Sequence, residues 1–329
     1  WVFSGAMAQI VGNPSEGDVV SVWSADGHLL GCGHYQVGSI SVRMLSFGSE
    51  YLPESYWVDS IRGAYELRKA FGLTDNLQTN CYRLVHGEGD YLPGLIIDYY
   101  DGVCVLQAHS VGMFRSKKQI CLALKDVYSD KLKAVYDKSS GTAPFKAGLE
   151  LVDGYIYKKE GFSEEESVVK ENGNNFWVNW GEGQKTGFFL DQRENRALVG
   201  KYACGRNVLN LFCYTGGFSI YALNGGAKKV ESVDSSARAM ALTDRNVALN
   251  GFENHISHTA DAMEFLSKVE PGVFDMMIVD PPAFAKHRGS LKNALRAYQR
   301  LNAAAISKIA SGGIIFTFSC SQVVDKEAF

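Results

Sequence analysis

Through the first fifty residues, apolar and polar positions alternate in short runs broken by glycine. Asp18-Val19-Val20-Ser21-Val22-Trp23, Leu29-Leu30-Gly31-Cys32-Gly33-His34-Tyr35 and Ile40-Ser41-Val42-Arg43-Met44-Leu45 each have the length of one strand. Asp26-Gly27 supplies a turn between the first two, and hairpins of this kind predict a small β-barrel. From Pro53 the period becomes helical, with Trp57, Ile61, Tyr65, Leu67 and Phe71 recurring before Gly72. We place a first domain over residues 1–72.

A central α+β domain is expected over 73–175. Cys81-Tyr82-Arg83-Leu84-Val85 and Leu95-Ile96-Ile97-Asp98-Tyr99-Tyr100 read as strands. Asp101-Gly102 signals a hairpin into Val103-Cys104-Val105-Leu106-Gln107, and a helix is expected from about Ser116 to Tyr128. The third domain, 176–329, has another rhythm. Short apolar strands around Val208-Leu209, Val230, Ile278 and Ile314-Ile315 alternate with helices near 218–223, 237–249 and 291–310. That alternation predicts a parallel, doubly wound α/β sheet with ligands at the carboxyl ends of its strands. The chain stops soon after the Ile314 strand, so a closing hairpin is expected to be missing from its C-terminus.

Length suits two or three domains, and no apolar run is long enough to span a membrane. Seven cysteines, an odd number without CxxC or zinc spacing, point to reduced thiols in a cytoplasmic protein without a structural metal. The net charge of −3 gives no global sign of a nucleic-acid partner. Locally, Lys286, Arg288, Lys292, Arg296 and Arg300 outnumber Asp275 and Asp280. On charge alone, a solvated helix face is the simpler account.

Three signals stand in order at the predicted strand ends. Tyr214-Thr215-Gly216-Gly217 lets backbone approach a ligand at a helix start, though a tight turn alone would also use glycine. It is not the GxGxxG of a nicotinamide dehydrogenase. Asp234 ends the next strand, where a carboxylate can hold the ribose hydroxyls of an adenosine ligand. Its alternative is a helix cap, and for Asp261 that alternative is nearly as good as an adenine contact. Asp280-Pro281-Pro282 imposes a rigid extended exit that fixes the Asp280 carboxylate beside the place of a reacting methyl.

Phe318-Ser319-Cys320-Ser321 occupies the next strand end and is more polar than the surroundings of a core cysteine, a description Cys213 fits better. A thiolate there has a use. Carbon 5 of cytosine is a poor nucleophile until a thiolate adds to carbon 6, and a carboxylate near N3 and N4 would stabilise the adduct. Cys320 and Asp280 suit those two roles.

The runs Lys185-Thr186-Gly187-Phe188-Phe189-Leu190-Asp191-Gln192-Arg193 and Asn210-Leu211-Phe212-Cys213-Tyr214-Thr215-Gly216-Gly217-Phe218 come before Ser232-Val233-Asp234, the Asp280-Pro281-Pro282 exit and the Cys320 segment. Together they resemble the bacterial class I large-subunit ribosomal RNA cytosine-5 methyltransferases. Arg83 to Leu95 looks like that family's central domain, and the opening hairpins are similar to its RNA-binding PUA domain.

The resemblance implies a Rossmann-like class I methyltransferase domain preceded by a PUA-like β-barrel and a central α+β domain. S-adenosylmethionine would lie on Phe212, Tyr214, Thr215, Gly216, Gly217, Asp234, Ser235, Asp261, Ala262, Asp280 and Pro281, with Asp191, Gln192 and Arg193 closing over it. Cys320 would be the nucleophile and large-subunit ribosomal RNA the partner. In that setting Lys286, Arg288 and Lys292 gain a role as phosphate contacts. Ala283 departs from relatives that carry lysine there or, in other RNA cytosine methyltransferases, a second cysteine, and it leaves the proton-removing base unassigned. Two other readings stay open: a methyltransferase for guanine or another substrate with Cys320 only packing, and a non-catalytic RNA-binding protein that senses the cofactor.

Overall fold

The structure, a computed structural model, describes residues 1–144, 147–285 and 287–329. It divides into two compact units, the first formed by residues 1–170 and 178–190, the second by 171–177 and 191–329.

The first unit opens with β1 (Val2–Phe3), β2 (Val19–Trp23), β3 (Leu29–Tyr35) and β4 (Ile40–Phe47), an antiparallel sheet in the order β1-β4-β3-β2. Helix α1 (Tyr56–Ala70) leads to a five-stranded sheet of β5 (Cys81–His86), β6 (Leu95–Tyr100), β7 (Val103–Ala108), β8 (Ala134–Asp137) and β9 (Gly154–Lys158), in sequential order. The Asp101-Gly102 turn has φ of 44° and 97°, the left-handed pair that matches the twist of a two-residue hairpin. α2 (Val111–Arg115) and α3 (Lys117–Tyr128) make the crossover to β8, which runs parallel to β7. Ile61, Leu84, Ile97, Leu106, Ile120 and Leu124 form the core of this unit.

β10 (Glu166–Glu171) and β11 (Asn174–Asn179) form a hairpin whose tip, 171–177, belongs to the second unit. There Glu171 is wholly buried and accepts both a bidentate pair of hydrogen bonds from Arg196 (2.9 and 2.8 Å) and one from the Tyr221 hydroxyl (2.9 Å). A buried charge held this completely anchors the tip to α4 (Arg193–Tyr202) and α5 (Gly217–Asn224).

The remaining elements of the second unit are β12 (Asn207–Leu211), β13 (Lys229–Asp234), α6 (Ala237–Leu249), β14 (His255–Thr259), α7 (Ala262–Lys268), β15 (Met276–Val279), α8 (Leu291–Lys308) and β16 (Ile314–Thr317). The strand order is β14-β13-β12-β15-β16, all parallel. All four residues of β15 are buried, as expected of a strand covered on both faces. Beginning at β12, the chain first moves one way through β13 and β14, then returns to place β15 on the other side of β12. Adjacent loops diverge at such a reversal and leave a crevice at the carboxyl ends of the strands. The predicted doubly wound sheet is therefore present, with its three motifs on that edge.

Candidate active site

The turn after β12 is built from conformations that side chains rarely adopt. Phe212 and Tyr214 have φ of 58° and 49°, and Gly216 has φ of 78°. Left-handed backbone at a bulky aromatic residue is strained and persists only where surrounding contacts hold it. Several do. The Tyr214 N–H donates to Asp234 Oδ2 (2.9 Å), Thr243 Oγ1 donates to the Tyr214 carbonyl (3.0 Å), and Asn246 Nδ2 donates to the Thr215 carbonyl (2.9 Å). A Cβ on Gly216 would stand 2.6 Å from Thr243 Cγ2, so only glycine fits at that point. Gly217 then starts α5, whose first N–H groups have no partner within the helix and face the strand-end crevice.

Below this turn a chain of polar side chains crosses the sheet. Asn210 Nδ2 donates to Ser219 Oγ (2.8 Å), Ser219 and Ser232 share a hydrogen bond of 2.6 Å, and Ser232 Oγ lies 2.7 Å from His255 Nε2. It ties α5 to β12, β13 and β14. Burial lowers the pKa of His255, which keeps the ring neutral within this chain.

Asp234 is half-buried at the exit of β13. Its second oxygen, Oδ1, accepts from Ser236 N–H (2.9 Å), while Ser236 itself caps α6 through Ala239 N–H (3.2 Å). Each carboxylate oxygen thus spends one lone pair on backbone and keeps capacity for a ligand hydroxyl. The helix-cap account of Asp234 does not hold, because Ser236 does that work. Asp261 is different: its Oδ1 accepts from Glu264 N–H (2.9 Å) and caps α7. Ser235 is exposed, and Ala262, the first residue of α7, is buried.

Asp280 is half-buried at the exit of β15, with Pro281 buried behind it. The segment after β16 lies alongside, with Phe318 N–H donating to the Val279 carbonyl (3.0 Å). Cys320 is exposed, and its thiol donates to the Pro281 carbonyl at 3.7 Å. The Phe318 ring stacks on Phe218 of α5 at 5.3 Å. Cys213, in contrast, is buried against Met240, and burial followed by the Asp234 charge pushes its thiol pKa up. It has the environment of an inert core thiol.

Asp191 and Gln192 lie in a short 3-10 turn and Arg193 begins α4; Gln192 accepts from Asn195 (2.6 Å), and Arg193 pairs with Glu194 (3.1 Å). Arg288, in the 3-10 turn before α8, and Lys292, in the first turn of α8, are exposed, while Lys286 lies outside the described residues. Sequence reasoning missed Thr243 and Asn246, which hold the glycine turn. Two polar residues three apart on the buried face of α6 were the available signal.

A family model described as S-adenosylmethionine-dependent methyltransferase matches residues 155–323, and a PUA-like domain model matches residues 1–47. Among curated proteins, the chain is 39% identical over 335 residues to "Ribosomal RNA large subunit methyltransferase I" of Alteromonas mediterranea, covering all of this chain and 83% of the relative. It is 36% identical to the protein of the same name from Aeromonas hydrophila, again with 100% and 83% coverage. Among solved structures, it is similar to SMU.776, described as a methyltransferase and complexed with SAH. That match has 26% identity and a TM-score of 0.80, covering 95% of this chain and 80% of that one.

Proposed function

Because the chain belongs to the S-adenosylmethionine-dependent methyltransferase family and carries a PUA-like domain, we propose that it methylates carbon 5 of a cytosine in large-subunit ribosomal RNA. The observation that carries this reading is the thiol of Cys320 against the Pro281 carbonyl, one residue from the Asp280 carboxylate. The names of these relatives, ribosomal RNA large subunit methyltransferases, support the substrate class.

The residues present fit the cofactor. The strained turn at 212–216 opens the backbone where glycine alone is tolerated, and the N–H groups of the first turn of α5 would suit the cofactor's carboxylate. Asp234 retains acceptor capacity for ribose hydroxyls. Phe212, Tyr214, Thr215, Gly216, Gly217 and Asp234 would hold the nucleoside and amino-acid parts, Asp280 and Pro281 the side nearest the target base. Ser235, Asp261 and Ala262 would border the adenine, and Asp191, Gln192 and Arg193 would cover the site. Bound S-adenosylmethionine supplies an electrophilic methyl group.

Cys320 then acts on the base. Its thiolate forms a bond to carbon 6 as the C5–C6 π bond opens, which makes carbon 5 nucleophilic. Asp280 hydrogen-bonds the N3–N4 edge and stabilises the adduct. Carbon 5 would take the methyl group with S-adenosylhomocysteine as the leaving group, and transfer of the carbon-5 proton to a base then restores the C5–C6 double bond, expels the thiolate and frees the enzyme. Arg288, in the turn before α8, and Lys292, in its first turn, contact RNA phosphates, a role that Lys286 shares by its place in the sequence.

The test is to incubate the protein with unmodified large-subunit RNA and radiolabelled S-adenosylmethionine, then digest the RNA to nucleosides. Label is expected in 5-methylcytidine and should vanish with Cys320→Ala. Label in another nucleoside, or full activity without Cys320, would refute the covalent cytosine reading.

A further inference from the structure

The segments that leave β15 and β16 are tied at three successive points. Phe318 N–H donates to the Val279 carbonyl (3.0 Å), the Cys320 thiol to the Pro281 carbonyl (3.7 Å), and Ala285 N–H to Ser321 Oγ (3.2 Å). The third tie has a further member. Ser321 Oγ shares a hydrogen bond of 2.9 Å with the Tyr298 hydroxyl on α8.

Both side chains are 3% exposed, although Cys320 beside them is exposed. Tyr298 packs its ring on Phe284 (4.7 Å between centroids) and joins Ala285 and Ala294 in a small apolar cluster distinct from the main core. On the same helix, Leu301 and Ala305 are embedded in that main core. The helix is thus anchored to the sheet, and Tyr298 extends the anchor to Ser321. Beyond β16 the described chain forms no further helix or strand. The Tyr298–Ser321 contact thus adds a side-chain tie from an anchored helix to the segment that carries the thiol.

We infer that Tyr298 and Ser321 are positioning residues that hold the Cys320 thiol at a fixed separation from Asp280, so that both reach one cytosine together. The inference rests on the reading of Cys320 as nucleophile. Its physical basis is that addition of sulfur to carbon 6 requires a near-attack geometry, which a loosely held segment reaches only part of the time. The two hydroxyls bond to each other and to Ala285 N–H, away from the 212–217 turn, so their loss should slow adduct formation and leave cofactor binding alone.

The experiment compares wild type, Tyr298→Phe, Ser321→Ala and Cys320→Ala in the full chain. It measures single-turnover adduct formation with 5-fluorocytosine-substituted large-subunit RNA, and affinity for S-adenosylhomocysteine by calorimetry. Tyr298→Phe and Ser321→Ala are expected to slow adduct formation on the order of 10- to 100-fold while cofactor affinity stays within about twofold. Tyr298→Phe is nearly isosteric, so it keeps the ring packing while removing the hydroxyl. Wild-type adduct rates in both variants, with Cys320→Ala inactive, would overturn this inference and leave the proposed function standing. An equal fall in adduct rate and cofactor affinity would also overturn it, since that is the mark of a merely structural role. Methylation that survives Cys320→Ala would sink the proposed function and this inference with it.

Discussion

Substituting Gly216 by alanine tests the glycine turn directly, because its cost has two separable parts. The first is conformational: at φ of 78°, an L side chain pays about 1–2 kcal/mol for left-handed backbone. The second is steric. The new Cβ would lie 2.6 Å from Thr243 Cγ2 and 3.2 Å from its Oγ1. Thr243 cannot simply turn away, because Oγ1 is already committed to the carbonyls of Tyr214 and Ala239, each at 3.0 Å. Overpacking of this kind costs about 1–3 kcal/mol. Gly216→Ala should therefore destabilise the second unit by about 2–5 kcal/mol, with roughly 2–4 °C of melting temperature lost per kcal/mol. Thr243→Ser removes the offending methyl and keeps the hydroxyl. In the double variant the 2.6 Å clash is removed while the 3.2 Å approach to the hydroxyl stays, so most of the steric part should be relieved, giving a favourable coupling of about 1–3 kcal/mol. The assay is a double-mutant cycle by thermal unfolding, with S-adenosylhomocysteine titrated into each folded variant. Strictly additive effects would refute the packing argument. A stable Gly216→Ala protein that binds S-adenosylhomocysteine normally would refute the role of the turn altogether.

Three further expectations follow from particular contacts. Glu171→Leu removes the bidentate carboxylate partner of the buried Arg196 guanidinium, 3% exposed, and should cost about 3–5 kcal/mol in urea unfolding; a loss below 1 kcal/mol, roughly a surface pair's worth, would contradict the assigned burial. His34 is buried beside Arg43, and burial first, then that charge, lowers its pKa to about 4. Its folded state favours the neutral ring, so stability is complete above the unfolded value near 6.5 and drains away as pH falls toward 4; about 3 kcal/mol is at stake. His34→Phe should flatten that part of the pH–stability curve, and an unchanged slope would dismiss His34 as its source. Arg288→Glu with Lys292→Glu should weaken RNA binding and reduce its salt dependence. Equal affinities across a salt series would remove those side chains from the RNA interface.

Much of the molecule was legible from local pattern. The alternation from Asn207 onward specified strands and helices, because buried parallel strands are short apolar runs and covering helices are amphipathic. Asp101-Gly102 named its own turn. The Asp234 and Asp280 positions could be assigned to strand ends for the same reason. Less legible were the partners that hold the site. Thr243 and Tyr214 are 29 residues apart, Asn246 and Thr215 31, and Tyr298 and Ser321 23. None carries a turn or period signal of its own, and Asp261 could be recognised as a helix cap only once its Oδ1 was seen to accept from Glu264.

The sequence by itself determined the order of elements and the residue types at each strand exit, because periodicity, turn chemistry and proline geometry act over a few residues. Tertiary structure decided that Asp261 caps a helix while Asp234 bonds the backbone of the glycine turn. It also decided that Cys213 is buried in the core while Cys320 stands exposed beside Asp280-Pro281. Those outcomes depend on crossovers that return β15 and β16 to the far side of β12, and on hydrogen bonds formed across them. Solvent exclusion and partner distance are properties of that assembled edge, so they appear only when the strands have come together.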